Sequence, residues 1–387
     1  MTMNRRRFMI QSFGAALSLS ISRIGRSQSD SSSAEPPPQV SICVGGDVTL
    51  GDHLQDHLDQ RLAAGKTKEE SWPLYFGGVR SFFEATDIVL VNLECPFTER
   101  GKKLKKNVSF RARPELVQIL KAGSVHVVSL ANDHTADWGK DGVIDTIETL
   151  SRNGIDHFGA GLNLEEARKP AILERNGLSV GLLGYYFQAE PDMLEPKQVY
   201  ATKKGVGVAG CYKDLDCIRQ MVREDVRALT SRVDIVIPYF HWGHEGSHEV
   251  RDYQVELAHL CVDLGCKAVL GAHPHRVQGI EVYRGAPIFY SLGNFVYGGL
   301  KESKDTLTMI ARLVCTKNST TARVFPTQFT LWPEAPFQPF VLGGAAGDEG
   351  MARIMSYSTG FPATLPQLEE YRGRPVPAEP DSVGTAR

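Results

Sequence analysis

Val40-Ser-Ile-Cys-Val44 followed by Gly45-Gly46-Asp47 is an apolar run that stops on two glycines and a carboxylate. A short, almost continuous apolar run is the pattern of a strand covered on both faces, as in a parallel sheet. The pattern recurs downstream. Asp87-Ile-Val-Leu-Val-Asn-Leu-Glu94 ends on an amide and a carboxylate, and His126 to Leu130 leads into Asn132-Asp133-His134. Val233-Asp-Ile-Val-Ile-Pro-Tyr-Phe240 leads into His241, and Lys267-Ala-Val-Leu270 into His273-Pro274-His275. Helical segments alternate with these strands: Pro114 to Lys121 opens on a proline, and Gly142 to Leu150, Leu215 to Leu229 and Tyr253 to Leu264 are periodic. The alternation predicts an α/β fold with parallel or mixed sheets covered by helices.

Two further turns frame the pattern. Asn176-Gly177 joins ILER to LSVGLLGYY and predicts a hairpin, and Arg284-Gly285 joins two strands ending at Ile288 to Ser291. Strand-like runs follow residue 305, then a short helix, then a Pro-rich polar tail from Arg374.

The chain has 387 residues, 43 Lys+Arg against 45 Asp+Glu, and 42% hydrophobic residues. That length and apolar content support a large core, in one big domain or two ordinary ones. A net charge of −2 removes any chain-wide electrostatic case for nucleic acid. No stretch reaches ~18 apolar residues, which excludes a polytopic membrane protein.

The N-terminus reads as an address. Asn4-Arg5-Arg6-Arg7-Phe8 sets a twin arginine before a weakly apolar run that ends near Ser22, a pattern similar to the bacterial twin-arginine export signal. Residues 1–26 are therefore expected to direct export to the periplasm or cell surface, by a signal that is cleaved or that remains as an anchor. Residues 27–38 (SQSDSSSAEPPP) read as a disordered linker, 39–373 as the folded domain, and 374–387 as a disordered tail. The seven cysteines form no CxxC and no even framework, so most thiols are expected buried and unpaired. Cys261 and Cys266 read as small core residues at a helix end.

The chemistry is expected at the strand ends, because ligands of open α/β sheets bind outside the carboxyl ends of strands. Those ends carry Asp47, Asn92, Glu94, Asn132, Asp133, His134, His241, His273 and His275. Six of the eleven histidines lie between 241 and 275, of which His244, His248 and His259 read as incidental. One imidazole after a strand is commonly a packed core residue. Five strands each ending in a carboxylate, amide or imidazole call for a shared partner, since buried polar groups need one. A divalent metal supplies it, and mixed oxygen and nitrogen donors suit Mn, Zn or Fe.

These residues also carry a family resemblance. Gly45-Gly-Asp-Val-Thr-Leu-Gly51, Asn92-Leu-Glu94, Leu130-Ala-Asn-Asp-His134, His241-Trp-Gly-His-Glu245, Gly271-Ala-His-Pro-His275 and Tyr290-Ser-Leu-Gly-Asn-Phe295 occur in order between about 40 and 300. The set resembles the bacterial capsule synthesis CapA family, which includes PgsA-type proteins of poly-γ-glutamate synthesis. That family belongs to the calcineurin-like metallophosphoesterase superfamily. The resemblance implies a four-layer α/β/β/α sandwich of the metallophosphoesterase type, with one or two metal ions at its rim. It implies work in capsule or poly-γ-glutamate biosynthesis or export, on an anionic polymer or peptide, beside membrane-bound polymer synthesis proteins. A metal-dependent hydrolase of phosphoester or amide bonds, a metal-assisted peptide epimerase, and a binding module with a structural metal are the alternatives.

Two departures from the pattern matter. The superfamily's opening Asp-x-His reads Asp47-Val48-Thr49, so one imidazole is missing, and the family's usual Asn-Asn-His reads Asn132-Asp133-His134. Asp133 either ligates directly, adding a third negative charge, or holds His134 from behind. On this reading Asp47, Glu94, Asp133, His241, His273 and His275 hold metal, and His134 exchanges a proton with substrate. Asn92 and Asn132 orient ligands or substrate. Arg111 and Arg113 either clamp a carboxylate or phosphate or are solvated surface.

Overall fold

A computed structural model describes residues 37–299, 303, 305–331 and 337–361. The expected export signal, nearly all of the linker and the polar tail lie outside the described residues. Val40–Thr49 sits inside the first sheet and pairs in parallel with Ile88–Leu93, which is followed by Val127–Ser129 and Asp156–Phe158, also parallel. On its other side Leu307–Cys315, Thr320–Phe329 and Pro339–Val341 run antiparallel in turn. Asn294–Tyr297 pairs in parallel with the end of Val40–Thr49. The second sheet has the order Ile280–Tyr283, Ala286–Phe289, Val269–Ala272, Ile235–His241, Leu178–Tyr186, Ala171–Arg175. Its four central strands are parallel and its two edge strands antiparallel.

Successive residues of a strand point to opposite faces, and three cores follow from that alternation. Ile42, Val44, Ile88 and Leu90 meet Val180, Leu182, Ile237 and Leu270 between the two sheets. Cys43, Val89, Val91 and Val128 point the other way, onto Leu54, Leu58, Phe83, Leu120 and Leu150 of the covering helices. Val236, Phe240, Val269 and Ile288 meet Ile218, Val222, Val226 and Leu257 from the helices Leu215–Thr230 and Asp252–Asp263. Helix, sheet, sheet, helix is the four-layer sandwich. Each buried Val, Leu or Ile contributes roughly 1.5–3 kcal/mol of apolar burial, so strands covered on both faces are the most strongly held.

The strand Val40–Thr49 is bent where the chemistry begins. Val44 opposes Leu90 and Asp47 opposes Asn92, so Gly45 and Gly46 together face Val91. This two-against-one bulge re-aims the strand end. Glycine is required there: a Cβ on Gly46 would lie 1.8 Å from the carbonyl oxygen of Gly293. The same carbonyl accepts from the Asp47 N–H at 2.9 Å, which fixes the backbone of Asp47.

At Asn176-Gly177 both residues have positive φ, 51° and 77°, as a two-residue I′ hairpin turn demands. Five cysteines, Cys261 and Cys266 among them, are buried and free. The remaining two, Cys211 and Cys217, form a disulfide across a separation of six.

Candidate metal centre

The C-terminal ends of the parallel strands of both sheets meet, and the carboxylates and imidazoles they carry converge there. Asp47 and Glu94 come from the first sheet, Asp133 from the loop after Val127–Ser129, and His241, His273 and His275 from the ends of the second sheet. Glu94, Asp133, His241 and His273 each offer a donor atom within 4.8 Å of the others, and so do Asp47, Glu94 and His275. Glu94 belongs to both groups.

The distances have the same sense throughout. Asp133 Oδ1 lies 2.7 Å from His241 Nε2 and 3.8 Å from His273 Nδ1. Asp47 Oδ2 lies 3.2 Å from His275 Nδ1, and Glu94 Oε1 lies 3.4 Å from His241 Nε2 and 3.7 Å from His275 Nε2. His273 and His275 have φ of 95° and 55°, a left-handed backbone that residues with a Cβ rarely adopt. Strain of that kind, roughly 1–3 kcal/mol per residue, collects where function fixes a side chain.

The electrostatics test whether a cation fits. Glu94 is fully buried and neither carboxylate oxygen has a hydrogen-bond donor among the described residues. Burial, reinforced by the carboxylates of Asp47, Asp133 and Glu245, pushes Glu94 well above the usual range. Burial acts the same way on Asp133, but His134, Lys106, His241 and His273 outweigh it and hold that carboxyl well below the usual range. Burial also drives His241 down to about 4, assisted by His273 and opposed by Asp133. His241 is therefore a neutral imidazole at neutral pH, the form that ligates metal. Three carboxylates and three imidazoles in two groups that share Glu94, with orphaned carboxylate oxygens, suit one or two divalent cations.

A second layer of polar groups braces these side chains. Asn92 Nδ2 donates to Asp47 Oδ1 at 2.9 Å, and Asn132 Nδ2 donates to Asn92 Oδ1 at 3.0 Å. Asn132 Oδ1 accepts from the N–H groups of His134 and Thr135, which shapes the turn presenting Asp133 and His134. Ligand-bracing groups of this sort commonly decide metal affinity. His134 faces Asp133 Oδ2 with Nε2 at 3.2 Å, Asp137 Oδ2 with Nδ1 at 2.8 Å, and packs on Phe110.

The two arginines stand elsewhere. Arg113 makes two bonds to Asp59 on the helix Asp52–Ala63, and Arg111 donates to the Thr98 carbonyl with its guanidinium 4.0 Å above Trp138. Neither joins the cluster, because acceptors on neighbouring elements already engage both. His244, His248 and His259 are likewise occupied by Asp192, Asp305 and Glu281.

Some participants carried no signal in the sequence. The Lys106 side chain is 1% exposed, and its Nζ lies 2.8 Å from Asp137 Oδ1, 2.8 Å from Glu195 Oε2 and 3.7 Å from Asp133 Oδ2. Gln188 Nε2 sits 2.7 Å from His273 Nε2, and Asn294 Oδ1 sits 2.9 Å from His275 Nδ1. Asn294 lies inside the Tyr290–Phe295 block, so a motif pointed to it. Lys106 and Gln188 lie outside every block.

Comparison with known proteins follows the same residues. The family model described as bacterial capsule synthesis protein PGA_cap matches residues 41–298. The PGA biosynthesis protein CapA of Bacillus subtilis is 31% identical over 265 residues, 67% of this chain and 64% of that protein. The capsule biosynthesis protein CapA of Bacillus anthracis is 28% identical over 273 residues, 69% of this chain and 62% of that protein. This chain thus spans less than two thirds of either Bacillus relative. A probable polyglutamine synthesis accessory protein of Mycobacterium tuberculosis is 30% identical over 285 residues, 67% of this chain and 75% of that one. A novel phosphatase from Mycoplasma pneumoniae aligns over 75% of this chain and 95% of its own, at 12% identity and a TM-score of 0.42. A hypothetical protein from Thermus thermophilus aligns over 74% and 99%, at 16% identity and a TM-score of 0.43. With the family model covering most of the folded core, the chain belongs to the bacterial capsule synthesis protein family PGA_cap.

Proposed function

We propose that this chain is an exported, metal-dependent protein that acts on an anionic polymer, poly-γ-glutamate or a capsular chain, during its assembly, beside membrane-bound synthesis proteins. The observation that carries this reading is Glu94, a buried carboxylate without a donor, common to two groups of candidate ligands. Names of the relatives support the polymer context, and the twin arginine at residues 5–6 supports export. Asp47, Glu94, Asp133, His241, His273 and His275 would hold a divalent Mn, Zn or Fe ion, which would supply Lewis-acid polarisation of a substrate oxygen and a more acidic bound water. Asp137 orients His134 through Nδ1, leaving Nε2 directed toward the ligands, where it exchanges a proton with substrate.

That Asp137–His134 pair favours hydrolysis of an amide or phosphoester bond over a purely structural metal. The test is elemental analysis of the purified protein, combined with chain-length assays of poly-γ-glutamate and a panel of amides and phosphoesters under Mn, Zn and Fe. Stoichiometric metal, lost in His273→Ala, with metal-dependent cleavage is the expected result. Absence of bound metal, or unchanged surface polymer in a strain lacking the gene, overturns the proposal.

A further inference from the structure

Arg100-Gly-Lys-Lys-Leu-Lys-Lys106 has five basic residues in seven, in a chain whose net charge is −2. The segment has no helix or strand, yet it is held firmly over the ligand-bearing turn. The Leu104 N–H donates to the Asp137 carbonyl at 2.8 Å, and Lys106 Nζ donates to the Asp133 carbonyl at 2.8 Å. Gly101, at φ 88°, approaches so closely that a Cβ would lie 2.2 Å from the Trp138 carbonyl oxygen. The strap therefore lies along residues 133–138, the stretch that presents Asp133 and His134.

Its lysines divide into two kinds. The Lys106 side chain is turned inward and is 1% exposed against Asp133, Asp137 and Glu195. Lys102, Lys103 and Lys105 are exposed, and none has a carboxylate oxygen within 4 Å among the described residues. All three lie within four residues of Lys106, so no more than ~14 Å of chain separates them from that inward lysine. Arg100 differs, being paired with Asp145.

We propose that Lys102, Lys103 and Lys105 form a binding site for a linear polycarboxylate beside the metal centre, and that the inward Lys106 locks the strap in place. The proposal rests on the polymer reading above and assigns the residues that would hold the chain. Cations beside the cluster complement the charge of an anionic chain and would steer it toward the candidate metal centre. A nucleic acid fits less well. Phe110 is 4% exposed and Arg111 covers one face of Trp138, so these two rings beside the strap make a poor stacking platform for bases.

The test is fluorescence anisotropy with fluorescein-labelled poly-γ-glutamate, on the full chain and on the triple variant Lys102→Gln, Lys103→Gln, Lys105→Gln. Titrations at about 50 mM and about 200 mM salt read the charge contribution directly. Binding by the wild type that weakens roughly tenfold or more in the triple variant, with a flatter salt dependence and an unchanged melting temperature, is the expected result. Equal binding by wild type and variant overturns the lysine assignment and leaves the polymer reading standing. No binding by the wild type overturns both. Single-stranded DNA or phosphatidylserine vesicles bound more tightly than poly-γ-glutamate overturn the choice of a polycarboxylate.

Discussion

Nε2 of His241 and Nδ1 of His273 face each other across 3.1 Å, with Asp133 Oδ1 2.7 Å from the first and 3.8 Å from the second. Two imidazole nitrogens aimed at one point need something positive between them. A proton serves one nitrogen pair; a divalent cation serves both rings and the carboxylates together.

Glu94→Gln separates the demands of folding from those of the ion. The carboxyl is already pushed toward its neutral form by burial and by its acidic neighbours, so a neutral amide of the same shape leaves the metal-free protein at least as stable. The stabilisation that added metal confers on the wild type, about 2.7 kcal/mol at a hundredfold excess over Kd, disappears. Melting curves with EDTA and with Mn or Zn check both halves.

Lys106→Met removes the ammonium that Asp133, Asp137 and Glu195 share in a buried setting. Leaving buried carboxylates without their counter-charge costs about 3–5 kcal/mol. Adding Glu195→Gln to the same chain recovers part of the loss. Chemical denaturation of the single and double variants gives the comparison.

His134→Ala tests the acid–base role. Turnover falls roughly 10²–10⁴-fold, as for loss of a positioned proton donor, while bound metal stays at the wild-type level. Metal analysis and the cleavage assay on one preparation are sufficient, and undiminished turnover assigns the proton transfer to another group.

Acid stability turns on Asp305, away from the ligands. Burial alone would raise its pKa. Hydrogen bonds from His248 and the Leu307 N–H, with the charge of Arg353, outweigh burial and set it at about 2. A depressed carboxyl contributes stability above its unfolded value near 3.8, and loses that contribution as pH falls from there through about 2. Asp305→Asn is thus less stable than wild type at pH 7, by about 1 kcal/mol after allowance for solvent screening, and the gap closes below pH 3. Urea titrations at several pH values measure the gap.

The strand ends were readable because parallel strands buried on both faces leave a clear apolar signature, and whatever polar residue follows them stands out. Asp47, Glu94, His241 and His273 were visible for that reason. The helix Asp52–Ala63 was not, since only Leu54 and Leu58 of its twelve residues are buried. Lys106 stayed hidden because a lysine in an irregular loop has no periodicity, and its burial depends on Asp137 and Glu195, far away in sequence. Arg111 and Arg113 stayed open between clamp and surface for a related reason: two guanidiniums on one extended piece say nothing of Asp59 and Trp138. Cys211 and Cys217 lie close enough in sequence to pair, but which of seven thiols join is fixed by the path of the surrounding loop.

Because one side chain, Glu94, is common to both donor groups, two ions held there would not fill independently. A first cation would withdraw the negative field that a second needs, and the like charges would then oppose each other. Titration of the stripped protein should depart from two identical isotherms, with a half-loaded form dominating over a wide range of free ion.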